Sequence, residues 1–257
     1  MKVIFLGKHT GGNNNCLGVN ALQYLIQNLN PTLDNKIECV TSSKDLLFDF
    51  CKRNNINVTQ NIDDIDLNNI DLVISYGWGE MVKGKLLKSP RIGCINFHPA
   101  PLPEWKGMGG VFNYALYEQV KEWGVSAHFI DETFDTGDII KVKRFKINPN
   151  QHSVYSLTKL SHNKLLLLYK EVIQILLKNK LSPNLIPRSP QKGGRYISKK
   201  ELNNLREIKP DDTVEVINKK IKACFCPPHH GVYITIKDKQ YSIINSEILN
   251  SVIQYEK

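Results

Sequence analysis

The chain has 257 residues, 41% of them hydrophobic and 23% charged, enough for a sizeable core in one large domain or in one domain with a small appendage. Its longest apolar runs fall far short of a membrane span. Six cysteines at positions 16, 39, 51, 94, 224 and 226 show no paired spacing, and MKVIFLGKHTGG reads as a first strand rather than a secretion signal, so a reduced, cytoplasmic protein is expected.

Charge is uneven along the chain. Residues 1–140 carry 12 Lys+Arg against 16 Asp+Glu, and residues 141–257 carry 22 against 9. A basic second half suits an anionic substrate such as a phosphate or a nucleic acid, although a Lys-rich composition can also serve solubility alone.

In chain order, Lys2 to Leu6 is a buried-type strand, Gly7 to Asn15 a glycine- and asparagine-rich loop, and Leu17 to Leu29 a helix. Strand, glycine loop, helix is the layout that points free backbone N–H groups at an anion. The loop is neither a P-loop nor GxGxxG, and an ordinary strand-to-helix turn reads the same way. Lys36 to Val40 is a second strand. Ser42 or Ser43 is placed to cap a helix through about Arg53, and a short strand lies near Val58 in an otherwise irregular stretch. Asp71 to Tyr76 reads as a central strand, broken by Gly77-Trp78-Gly79 and followed by a short helix to Lys88. Alternating strands and helices predict an α/β fold with a doubly wound, mainly parallel sheet. Ligands in such sheets sit beyond the carboxyl ends of the strands, where Gly7 to Asn15, Tyr76 to Val82 and Asn96 to Pro103 all fall.

Ile92 to Asn96 reads as a short buried strand that runs into NFHPAPLPEWKGMGG, residues 96–110. Side chains two apart on a strand share a face, so Asn96 and His98 project together, either as a fixed pair of polar groups or, as an isolated N-x-H more often is, as a polar strand end with a solvated His. Pro99, Pro101 and Pro103 stiffen the exit. The glycines of Glu104 to Gly110 imply a mobile or closely approached loop. Trp105 beside Lys106 suits a base or a phosphorylated sugar, or a Trp packed on the domain. A helix to about Gln119 and a strand from Val125 to Ile130 follow. Asp131, Glu132 and Asp135 then crowd one loop ending at Thr136-Gly137, before a strand from Ile139 to Phe145. Three carboxylates on one loop repel each other, which either marks a functional role or is simply an acidic, solvated hairpin turn.

His152 to Lys180 is a long amphipathic scaffold helix with Val154, Leu157, Leu165, Leu168, Val172, Ile175 and Leu176 on its buried stripe. Leu181 to Gly194, with three prolines and a Gly-Gly pair, reads as a linker. Thr213 to Ala223 reads as a helix, and Val232 to Ile236 with Gln240 to Ile244 as a hairpin across Lys237-Asp238-Lys239. Cys224, Cys226, His229 and His230 do not have the spacing of a structural zinc site, and no metal is expected.

Asn96-Phe97-His98-Pro99 with Leu102-Pro103, followed by Gly124-Val125-Ser126 through Glu132, Asp135 and Gly137, resembles the linked signature of the folate-dependent formyltransferases. That family includes methionyl-tRNA formyltransferase, glycinamide ribonucleotide transformylase and the nucleotide-sugar N-formyltransferases. The resemblance implies a Rossmann-like catalytic domain over 1–190 and a small appendage over 191–257 that forms a substrate wall, a dimer contact or both. It implies N10-formyltetrahydrofolate as co-substrate and Asn96, His98 and Asp135 as catalytic groups, Asp135 keeping His98 protonated. Backbone at Glu80, Met81 and Val82 and at Ile130, Asp131 and Glu132 would wall the pterin slot, although Met81 and Val82 also read as core. Lys8, Asn13, Trp105, Lys106 and Tyr233 are the substrate-contact candidates. A core plus a short tail looks most like the sugar enzymes, which implies a nucleotide-linked amino sugar as partner, a dTDP-4-amino-4,6-dideoxyhexose by overall resemblance, feeding a surface polysaccharide such as O-antigen. It also implies a homodimer, with no membrane or nucleic acid partner. Formylation of initiator tRNA, or a non-catalytic folate- or nucleotide-binding module, are the alternatives.

Overall fold

A computed structural model describes residues 1–8, 16–29, 36–107, 109–227, 229 and 231–246. Strand β1 (Lys2–Gly7), helix α1 (Leu17–Leu29), β2 (Lys36–Val40), α2 (Leu46–Arg53), β3 (Asn57–Thr59), β4 (Leu72–Tyr76), α3 (Gly84–Lys88) and β5 (Gly93–His98) alternate along the first hundred residues. There follow β6 (Trp105–Lys106), α4 (Val111–Tyr117), β7 (Glu122–Phe129), β8 (Ile139–Lys146), α5 (Val154–Lys178), β9 (Arg195–Tyr196), α6 (Lys199–Arg206), α7 (Val214–Cys224), β10 (Val232–Ile236) and β11 (Lys239–Ile243).

Seven strands form one sheet in the order β3-β2-β1-β4-β5-β7-β8. β3, β2, β1, β4 and β5 pair in parallel, and β7 pairs antiparallel to β5. The expected doubly wound α/β sheet is therefore present. Its strand order reverses between β1 and β4, the kind of switch point beside which ligands bind in such sheets.

By compactness the chain divides into two units. The first comprises residues 1–104, 124–144 and 161–194; the second comprises 105–123, 145–160 and 195–257. In the first unit both sheet faces are covered, which is why β1 and β4 read as continuous apolar runs. On one face, Ile4, Leu6, Val40, Val73 and Cys94 pack with Ile65, Ile70, Trp78, Val82 and Leu86, and Ile130 lies against this cluster. On the other face α1 and α5 meet through aromatic rings. Tyr169 stands edge-on to Phe97 at 4.8 Å, to Tyr76 at 5.3 Å and to Tyr24 at 6.4 Å.

In the second unit Trp105 and Phe112 both pack on the buried Trp123, with ring centroids 5.5 and 5.8 Å apart. Gly109 passes so close to the chain at Ser198 that a Cβ would sit 2.1 Å from its carbonyl carbon.

Several local expectations need correction. Helix α2 is capped by Asp45, whose Oδ1 accepts from the N–H groups of Leu47 and Phe48 at 3.0 and 3.1 Å. Ser43 instead braces the capping carboxylate, its hydroxyl donating to Asp45 Oδ2 at 3.3 Å. The hairpin β10–β11 turns on two residues rather than three, because Lys237 and Asp238 both take positive φ, 45° and 63°, the twist that a two-residue hairpin requires. Helix α6 escaped the sequence reading although Ser198 and Glu201 form a reciprocal capping box. The expected linker at 181–194 is not free chain: Ser189 and Ile139 exchange both backbone hydrogen bonds at 2.9 Å.

Candidate active site

The site grows out of strand register. Ser75 on β4 lies opposite Asn96 on β5, and Asn96 lies opposite His128 on β7. Cross-strand partners share a face, so three polar side chains form one row. The next rung places His98 opposite Ser126. This polar row continues, toward the strand ends, the face that carries Val73 and Cys94 in the apolar cluster.

Hydrogen bonds fix the orientation of each group. Ser75 Oγ donates to Asn96 Oδ1 at 2.9 Å. The Asn96 amide nitrogen therefore faces away from Ser75, 3.1 Å from His128 Nε2 and 3.5 Å from Asp135 Oδ1. His128 Nδ1 lies 2.7 Å from the Phe129 carbonyl. A carbonyl only accepts, so that nitrogen carries hydrogen, and in the neutral ring Nε2 is left to accept from Asn96. Asp135 closes the group: Oδ2 is 3.5 Å from His98 Nδ1 and Oδ1 is 3.4 Å from His128 Nε2. All three ionisable side chains are nearly buried, at 4%, 2% and 7% exposure for His98, His128 and Asp135. A carboxylate that far from water has to be paired, and here the His98 ring and the Asn96 amide offer it N–H groups. At 3.4–3.5 Å these contacts are long for hydrogen bonds.

The loop after β7 delivers Asp135. Its backbone is left-handed, with φ of 57°, a conformation that Asp tolerates. Gly137 lies against β7 so closely that a Cβ would meet the Phe129 carbonyl oxygen at 2.1 Å. The Phe129 N–H donates to the Asp138 carbonyl at 2.8 Å, which closes the loop. The three acidic residues of the loop have separate places. Asp131 accepts from the Thr133 N–H and from the Thr136 hydroxyl at 3.1 and 2.6 Å, Glu132 is exposed, and Asp135 turns inward. Ser126 braces the other side. It donates to the Ala100 carbonyl and accepts from the Leu102 N–H, both at 2.8 Å, which pins the chain just past His98.

The structure thus gathers Asn96, His98 and Asp135, and adds His128 and Ser75, which the sequence reading left without a role. The signal for His128 was present, since it lies two residues past Ser126 on the same strand face. Ser75 had no local signal; only its pairing with Asn96 exposes it. Cys94, two residues before Asn96, offers no nucleophile, because burial pushes its thiol up to about 12.

Of the expected pterin-slot residues, Val82 is buried in the apolar cluster and Ile130 lies against it, with its N–H donating to the Cys94 carbonyl at 2.8 Å. Val82 and Ile130 therefore meet the same buried apolar cluster, on the sheet face that bears Asn96. Met81 is half-buried and Glu80 exposed. Lys8 Nζ lies 4.0 Å from Glu80 and 5.4 Å from the centre of the Trp78 ring. Asn13 lies outside the described residues. Trp105, Lys106 and Tyr233 belong to the second unit. There Trp105 and Lys106 pair with Arg195 and Tyr196, and the Tyr233 hydroxyl reaches the Asn203 carbonyl at 3.5 Å. Among the described residues no group of three His, Cys, Asp or Glu side chains could hold a metal ion, and no helix is long and apolar enough to cross a membrane.

Comparison with known proteins gives this geometry a context. Methionyl-tRNA formyltransferase of Pelagibacter ubique is 29% identical over 184 residues, 70% of this chain and 56% of that protein. The chain spans about half the length of the curated relatives it matches. Two crystal structures share the fold over nearly the whole chain. A 4-N formyltransferase from Francisella tularensis aligns with TM-score 0.72 and 20% identity, over 95% of this chain and 96% of that one. An N-formyltransferase from Helicobacter canadensis, in complex with folinic acid and dTDP-3-aminofucose, aligns with TM-score 0.69 and 21% identity, over 93% and 86%. The formyl transferase family model matches residues 19–173, a span that holds Ser75, Asn96, His98, His128 and Asp135, and the chain belongs to that family.

Proposed function

We propose that the protein transfers the formyl group of N10-formyltetrahydrofolate to the amine of a nucleotide-linked amino sugar. The observation that carries this reading is the buried cluster of Asn96, His98 and Asp135 at the carboxyl end of β5, in a chain of the formyl transferase family. The amine nitrogen attacks the formyl carbon, and the new C–N bond leaves an oxyanion. Asn96 Nδ2 and the His98 ring supply N–H donors where that charge develops, in a site kept from water. Asp135 holds His98 in its donor orientation, and it takes the amine proton that the departing folate nitrogen receives, directly or across one water. In this reading the backbone of residues 80–82 and 130–132, which borders the buried apolar cluster, reads the heteroatoms of the pterin.

The sugar is favoured over tRNA by the extent of the likeness. The 4-N formyltransferase and the N-formyltransferase bound to dTDP-3-aminofucose match this chain over 95% and 93% of its length and over 96% and 86% of their own, whereas the tRNA enzymes match over about half their length. The specific acceptor we infer is a dTDP-4-amino-4,6-dideoxyhexose destined for a surface polysaccharide such as O-antigen. In this reading residues 191–257 supply a substrate wall or the contact of a homodimer, Lys8, Asn13, Trp105, Lys106 and Tyr233 face the sugar nucleotide, and the enzyme works in the cytoplasm. The sequence identity to methionyl-tRNA formyltransferases and the basic second half favour initiator Met-tRNA as the second reading.

The test incubates the protein with N10-formyltetrahydrofolate and, separately, a dTDP-4-amino sugar, a UDP-4-amino sugar and initiator Met-tRNA, and follows product mass. One formyl group gained on a sugar nucleotide supports the proposal. Transfer to tRNA alone replaces the acceptor, and transfer to none refutes the activity for these amines.

A further inference from the structure

Residues 186–191, on the sequence's own showing a proline-rich connection, grip the loop that carries Asp135. Ile186 anchors the segment in the core at 4% exposure. Ser189 exchanges both backbone hydrogen bonds with Ile139, the first residue of β8. The Arg188 guanidinium lies 3.5 Å from the centre of the Phe129 ring, the last residue of β7, and 4.0 Å from Asp138. Gln191 Nε2 donates to the Gly137 carbonyl at 2.6 Å. That carbonyl cannot donate, so the nitrogen of the amide must face it. Gln191 Oε1 is then left buried without a protein partner.

Besides the Phe129 N–H to Asp138 bond that closes it, the loop is held at both halves. Asp131 with Thr133 and Thr136 orders its first half through contacts no more than five residues apart. Gln191 and Ser189 tie its second half to chain about fifty residues away, at the two positions flanking Asp138. Gly137, Asp138 and Ile139 follow Asp135 by two to four residues on the same short loop, so a shift there moves the carboxylate relative to His98 and Asn96.

We propose that residues 186–191 form a clamp on the Asp135 loop and that Gln191 is a positioning residue for the formyl transfer. The inference rests on the activity proposed above for its kinetic arm only. Gln191 touches none of the reacting groups; it acts by fixing the carbonyl of Gly137 and, through it, the place of Asp135. Misplacing a catalytic group from a distance costs rate rather than binding, on the order of tenfold to a hundredfold.

The experiment compares wild type with Gln191→Met, which keeps the volume and removes the donor. Gln191→Glu, of equal length and also without a donor when ionised, is the second variant should the first fold poorly. Two quantities are read: amide hydrogen exchange at Phe129 and Ile139, and the separate kcat and KM values for both substrates. The expected result is exchange faster by about fivefold to tenfold, the equivalent of one hydrogen bond, with kcat lowered by about tenfold or more and both KM values near wild type. Unchanged exchange overturns the clamp. Faster exchange with a wild-type kcat overturns the positioning role. If wild type formylates none of the amines, the proposed activity falls, and the exchange measurement alone decides the clamp.

Discussion

Replacing Asp135 by Asn separates charge from shape at the centre of the site. The side chain keeps its size, and Asn tolerates the left-handed backbone found there, φ of 57°. Asp135→Ala lacks that tolerance and adds about 1–2 kcal/mol of backbone strain to the lost chemistry, so it is the poorer test. In the native site the carboxylate lies 3.5 Å from His98 Nδ1, 3.4 Å from His128 Nε2 and 3.5 Å from Asn96 Nδ2. An amide accepts from His98 through its oxygen, but its NH2 then faces the NH2 of Asn96 as well as the His128 lone pair, and it can neither take up a proton nor hold His98 by charge. Positioned proton transfer contributes about 10²- to 10⁴-fold, or about 3–5 kcal/mol of barrier, and a loss of kcat in that range is expected. Stability should change far less. Relief from burying a charge opposes the mismatched donor, and the melting temperature should stay within about 4 °C of wild type, the shift that corresponds to about 1 kcal/mol at this chain length. The assay is formyl transfer at saturating substrates beside a thermal melt of each protein. A folded Asp135→Asn enzyme turning over within about threefold of wild type, against the expected range, would refute the role given to the carboxylate.

The remaining predictions address the supporting structure. Ser75→Ala removes the donor that orients the Asn96 amide; kcat should fall by about tenfold, the equivalent of one hydrogen bond, and steady-state kinetics against Asn96→Ala, which should lose most of the activity, will show it. Gly137→Ala drives a Cβ to 2.1 Å from the Phe129 oxygen, so the loop must open; a loss of about 1–3 kcal/mol in urea unfolding together with loss of turnover is expected, and a stable, active variant would count against the close packing described. Asp45→Ala removes the cap of α2 and should cost about 1 kcal/mol, a drop of about 2–4 °C in the melt. His162 on α5 is held below its ordinary pKa by burial. The unfolded chain therefore takes up that proton first, so its contribution is complete above about pH 6.5 and is lost as pH falls from there toward the folded value. His162→Gln should flatten the dependence of stability on pH in that window, and an identical slope in both proteins would remove His162 as its cause.

Apolar runs of five residues alternating with helical periodicity predicted the parallel sheet, because burial on both faces leaves its mark within each strand. Asn96 and His98 could be paired from sequence for a similar reason: two residues apart on one strand is a local relation. Local crowding of carboxylates marked the loop of Asp131, Glu132 and Asp135, its turn was marked by Thr136-Gly137, and only the formyltransferase resemblance singled out Asp135 among the three. What the sequence could not supply was register. Ser75, Asn96 and His128 lie 21 and 32 residues apart and become neighbours only because β4, β5 and β7 hydrogen-bond in one alignment. The short capping carboxylate of Asp45 outranked two serines by reaching two helix N–H groups at once, a matter of backbone angle rather than residue type. Residues 186–191 looked like a linker because proline and glycine mark the absence of regular structure, and say nothing of what a non-helical segment touches. Local composition and period determined which segments form strands, helices and candidate chemistry. The partners of those segments, and so the assembled site, were decided by long-range pairing, whose energy comes from contacts that no stretch of sequence contains by itself.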